Sequence, residues 1–120
     1  MMPYSRGDVV LVLFPDSNLV TAKRRPALVV QADQLQTGLA QTIVAMITSN
    51  LSRLGHPSRV TAPRSSSQGL RMGLLSDSVI MTDNLATVLD VEIDRKIGCC
   101  DDMRAVDAAL QHTLGLGKVS

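Results

Sequence analysis

Residues 23–30 read KRRPALVV: three cations run into Pro26, and the proline opens an apolar stretch rich in branched side chains. A proline is tolerated at the first position of a strand, where its missing N–H takes no ladder bond from a neighbour. The stretch therefore predicts a buried strand with positive charge at its mouth. Working outward, VVLVLF at 9–14 follows the turn signal Gly7-Asp8 and reads as a first strand. TIVAMIT at 42–48 reads as a third. Residues 15–25 are polar and turn-forming, too long for a tight hairpin, and are expected to be a loop. No helical period separates these three strands, which excludes a parallel βαβ arrangement.

Beyond Thr48 the pattern loosens. Residues 49–73 are dotted with Gly, Pro and Ser, and only 58–62 alternates like a short strand. LLSDSVIM (74–81), LATVLD (85–90) and VEIDRKIG (91–98) are expected as further short β segments. The last element changes period. Met103, Val106, Leu110 and Leu114 fall on one face of a helix, Asp101 and Asp102 stand at its start, and Gly115 and Gly117 end it. Many short strands followed by one helix predict a mostly β fold, a small antiparallel barrel with the helix packed on it, in one domain over 1–120.

Composition narrows the function. The chain has one Tyr, one Phe and no Trp, so a nucleic-acid site cannot rest on aromatic stacking. No apolar run reaches the ~20 residues of a membrane span, and the amino-terminal residues show no cleavable leader. Cys99 and Cys100 are adjacent, which suits neither a disulfide framework nor a zinc site and points to the reducing cytoplasm. No metal-ligand cluster, phosphate-binding glycine loop or Ser-His-Asp pattern is present, so no cofactor is expected. The net charge of +1 hides a polarity: residues 1–76 carry +5 and residues 77–120 carry −4. A cationic face that meets phosphate is one consequence, and chance in a short chain is another.

Three local features carry candidate chemistry. Arg25, held by the restricted backbone before Pro26, offers a planar fork of donors that fits phosphate oxygens. An edge charge that guards a strand against aggregation is the plainer reading. Thr48, Ser49 and Asn50 close the third strand and can donate to an anion, although turns are made of the same residues. His56 lies in a Gly/Pro loop, as an acid or base or simply as a solvated side chain.

Taken in order, RGDVVLVLFP, RRPALVV, IVAMITSN, GLLSDSVIM and the acid-led helix DDMRAVDAALQHTLGL resemble the MazF/PemK/Kid group of toxin endoribonucleases. The resemblance implies an SH3-like barrel that assembles as a homodimer. It implies metal-independent, sequence-selective cleavage of single-stranded RNA and a cognate antitoxin partner. It matches Arg25 and Thr48 to the catalytic pair. Lys23, Arg24, Ser49, Asn50, Arg53, His56 and Asn84 then become candidates for RNA binding. Where many members carry Gln and Arg, this chain has Asn84 and Ala86, which bears on base preference. The same fold also serves non-catalytic toxins that bind gyrase, and a relative that binds RNA without cutting it is the other alternative.

Overall fold

The structure is a computed structural model that describes residues 4–15 and 22–117. Six strands form one antiparallel sheet in the order β4-β5-β3-β2-β1-β6. They are β1 (Asp8–Pro15), β2 (Ala22–Val29), β3 (Gln41–Thr48), β4 (Arg59–Ala62), β5 (Ser78–Leu89) and β6 (Ile93–Cys99). A short helix α1 (Ser67–Arg71) lies between β4 and β5, and α2 (Arg104–Leu114) follows β6.

The central strands are apolar on both faces because both faces are covered, which is why they read as continuous runs rather than alternating ones. Val9 of β1, Leu28 of β2, and Ala45 and Ile47 of β3 face Met72, Ile80 and the inner side of α2. Val10, Val12, Ala27, Val29, Val44 and Met46 face the other way, against Val88 and Ile93. The sheet bends so that β5 serves both clusters. Its first part pairs with the end of β3 and with β4, its second part with the start of β3. Between them the register slips: Met46 pairs with Met81 but Ala45 pairs with Leu85. Thr82, Asp83 and Asn84 therefore form a bulge, which lets one long strand turn a corner.

Several boundaries differ from the sequence reading. β2 starts at Ala22, so Lys23, Arg24 and Arg25 lie on the strand and not in a loop before it. The segments expected at 74–81 and 85–90 are one strand broken by the bulge, with residues 74–77 outside it. The Ser-rich stretch holds α1, capped by the Ser66 hydroxyl, which accepts from the Gly69 amide at 2.9 Å. α2 buries Val106 and Ala109, with Met103 and Leu110 packed beside them. Asp102 accepts from the Arg104 amide at 3.1 Å, and Gly115, at φ 67°, ends the helix. Residues 16–21 of the expected loop lie outside the described residues.

Candidate active site

β2 and β3 pair over only three positions, Ala27–Met46, Leu28–Ala45 and Val29–Val44. Both strands run on past Ala27 and Met46, β2 toward Ala22 and β3 toward Thr48, with no rung of the described ladder between them. A groove of about 840 Å³ opens there. Continuing the register two steps sets Arg25 level with Thr48, on the face that carries Ala27 and Met46. Both residues line the groove.

Thr48 is held by a local turn. Its Oγ1 accepts from the Asn50 amide at 3.1 Å. A hydroxyl that accepts in this way keeps its own proton to donate. Asn50 is fixed in turn: its Oδ1 accepts from the Ser52 amide at 3.1 Å and caps the short 3₁₀ turn Leu51–Arg53. That turn carries Arg53 to the groove, beside Ser49 and Asn50. Arg24 also lines the groove, with Nε donating to Asp94 at 3.0 Å. Across the opening stand Asn84 of the β5 bulge and the segment that follows α1, from Gly73 to Ser76. Leu11, Met46, Met81 and Ile97 add apolar side chains to the lining.

Gly73 places the far wall. It sits at φ 73°, and a Cβ there would stand 2.1 Å from the Ile97 carbonyl oxygen of β6. No other residue fits so close to that strand. The wall is tied again at Asp77, which accepts from the Arg64 amide at 2.8 Å.

Of the residues expected from sequence, the groove brings together Arg24, Arg25, Thr48, Ser49, Asn50, Arg53 and Asn84. Lys23 and His56 stand outside its lining. The His56 ring is engaged elsewhere: Nδ1 lies 2.7 Å from the Ser58 hydroxyl, and the ring meets His112 edge-on with centroids 6.0 Å apart. The sequence reading missed Arg95 and Leu75, both on the lining. Arg95 reaches it through the β1–β6 register, level with Leu11, a contact that nothing local to either residue announces. Leu75 is 91% exposed, and the apolar run it sits in read as strand.

The cationic half of the chain is also less bare than its composition implies. Arginines from residues 1–76 find acids from residues 77–120: Arg6 with Asp107 at 2.6 Å, Arg59 with Asp83 at 2.8 Å, and Arg71 with Asp101. Lys96 of the acidic half reaches back to Asp8 at 3.1 Å. Four arginines, Arg24, Arg25, Arg53 and Arg95, line the groove, where Arg24 and Arg95 share the one carboxylate of Asp94 at 3.0 and 3.3 Å.

A bent antiparallel sheet with a terminal helix, and a groove lined by arginines and apolar side chains, defines a small barrel protein suited to an anionic chain that also carries flat apolar groups. Residues 5–114 match the family described as PemK-like, MazF-like toxin of type II toxin–antitoxin system. The chain is 31% identical over 118 residues to endoribonuclease MazF6 of Mycobacterium tuberculosis, covering 97% of this chain and 94% of the relative. It is 33% identical over 121 residues to endoribonuclease EndoA of Bacillus subtilis, covering 96% and 97%. Among solved structures, a mycobacterial endoribonuclease in complex with its cognate antitoxin superposes with a TM-score of 0.72 at 22% identity, covering 97% of this chain and 99% of that one. A MazE–MazF structure from Deinococcus radiodurans gives 0.70 at 20% identity, covering 95% and 97%. The chain belongs to the PemK-like, MazF-like toxins of type II toxin–antitoxin systems.

Proposed function

We propose that this toxin is a metal-independent endoribonuclease that cuts single-stranded RNA in the groove between β2 and β3. The observation that supports the reading best is the arrival of Arg25 and Thr48 at one groove from two different strands. RNA differs from DNA by its 2′-OH. That hydroxyl attacks the adjacent phosphorus, an O2′–P bond forms, and the P–O5′ bond breaks. The 2′-OH gives up its proton, the departing 5′ oxygen gains one, and the products are a 2′,3′-cyclic phosphate and a 5′-OH.

Negative charge builds on the phosphoryl oxygens during this step. The Arg25 guanidinium, charged at every biological pH, donates to those oxygens, and Thr48 adds a hydroxyl donor already oriented by Asn50. Donors set in place before the reaction lower a barrier more than donors that must reorganise. Arg24, Arg53, Ser49, Asn50 and Asn84 hold the flanking nucleotides and give the enzyme its sequence selectivity, and Lys23 adds charge on the strand leading to Arg25. The cognate antitoxin neutralises the toxin by covering the same groove with an acidic segment that orders as it binds. The working form is a homodimer in the cytoplasm, in keeping with the two free cysteines.

The test is incubation of purified protein with a long single-stranded RNA in excess EDTA. Wild-type protein is expected to leave discrete fragments with 5′-OH ends. Arg25→Ala is expected to slow cleavage by roughly 10²–10³-fold. Cleavage by both proteins at equal rate removes Arg25 from this role, and intact RNA with both removes the activity.

A further inference from the structure

Arg59 opens β4 at the edge of the sheet, yet it is not a solvent-facing edge charge. Its side chain is only 22% exposed. Nε and Nη2 donate to the two carboxylate oxygens of Asp83, at 3.3 and 2.8 Å, and Nη1 donates to the Arg53 carbonyl at 3.1 Å. One planar group is thus shared between two elements. Asp83 sits in the β5 bulge, next to Asn84. Arg53 ends the 3₁₀ turn that follows Thr48. Asn84 and Arg53 both line the groove, and Arg59 itself does not.

The bulge is fixed from a second side. The Thr82 hydroxyl donates to the Ser58 carbonyl at 2.6 Å and lies 2.8 Å from the Thr113 hydroxyl of α2. With its base tied to α2 and to Ser58 just before β4, the bulge is joined to the 3₁₀ turn by Arg59. The Arg59 guanidinium also holds the Asp83 carboxyl below its ordinary value through their hydrogen bond.

We propose that Arg59 is a positioning residue for RNA: held at once by Asp83 and by the Arg53 carbonyl, it sets the spacing between Asn84 and Arg53 and thereby selects which nucleotides seat beside the scissile phosphate. The role rests on the ribonuclease reading above. It belongs to substrate seating and leaves the chemical step to Arg25 and Thr48.

The experiment uses the full chain as wild type, Arg59→Ala, Asp83→Asn and the double variant. Fragment ends are mapped on a long RNA. kcat and KM are measured on an oligonucleotide that carries one wild-type cleavage position. Each single variant is expected to raise KM by roughly three- to tenfold, the scale of one or two lost hydrogen bonds. kcat stays within about twofold, and cuts appear at positions the wild type ignores. The double variant is expected to match the singles, because both remove one coupling. Arg104→Ala breaks an ion pair with Asp102 outside the groove and is expected to leave both the constants and the cut positions unchanged.

Backbone hydrogen exchange supplies a readout that needs no activity. Residues 51–54 and 82–85 are expected to exchange faster together in either single variant. Unchanged KM with an unchanged cut pattern overturns the proposal, as do additive losses in the double variant or unaltered exchange. Wild-type protein that leaves RNA whole overturns the ribonuclease reading itself, and this role with it.

Discussion

At the scale of single residues, the site divides by what the local sequence can announce. Arg25 before Pro26 and Thr48 at a strand end are visible because their backbone surroundings are written next to them. Arg95 and Leu75 are not, because strands far apart in the chain bring them to the groove. His56, a candidate in its loop, packs against Ser58 and His112 and stands outside the groove lining. Thr48 offers a direct check. Thr48→Val keeps the shape and removes the donor, and it is expected to slow cleavage by roughly 10²-fold, while Thr48→Ser retains most of the rate in the same assay. Asp83 gives a pH dependence. Its carboxyl titrates below the ordinary 3.8 because Arg59 hydrogen-bonds it. A lowered folded value means its contribution is present above about pH 4 and is lost as the pH falls through the folded value. Thermal melts of wild type and Asp83→Asn are expected to differ at pH 6 and to converge as the pH falls below the ordinary 3.8.

At the scale of elements, the strands and α2 were legible because burial on both faces leaves unbroken apolar runs, and burial on one face leaves a helical period. What escaped has a common cause. α1 is five residues long and contains Gly69, so it is too short to show a helical period despite its Ser66 cap and the helix formers Gln68, Leu70 and Arg71. The glycine is there because a Cβ would stand 1.9 Å from the Pro63 carbonyl oxygen, and that constraint comes from packing. The bulge in β5 was legible only as an interruption, so one strand read as two. Gly73 holds the wall of the groove against β6, and Gly73→Ala is expected to cost about 1–3 kcal/mol from its left-handed backbone alone, with more from the clash at Ile97. Met72, fully buried beside it, is expected to lose about 2–5 kcal/mol as Met72→Ala. Urea denaturation measures both.

At the scale of the whole molecule, the charge polarity along the chain resolves into cross-half ion pairs, and four arginines line the groove, two of them sharing Asp94. Composition could show the imbalance but not which arginines would be neutralised, since that depends on how the two halves meet. RNA affinity is therefore expected to fall with salt. With Arg24, Arg25 and Arg53 each on a phosphate, the log–log slope is roughly −2, and Arg53→Ala lowers its magnitude by about 0.7. Fluorescence anisotropy on an oligonucleotide with a 2′-deoxy sugar at the cleavage position measures this without turnover.

The slip between Met81 and Leu85 has a consequence for how such a protein diversifies. Strand pairing on either side of it is complete without Thr82, Asp83 and Asn84. Thr82 is buried and bonded to Ser58 and Thr113, whereas Asp83 and Asn84 are exposed and can be rewritten while the sheet keeps every rung of its ladder. The fold thus carries exchangeable positions at the lip of its groove, where the surface can change without the chain first relearning how to fold.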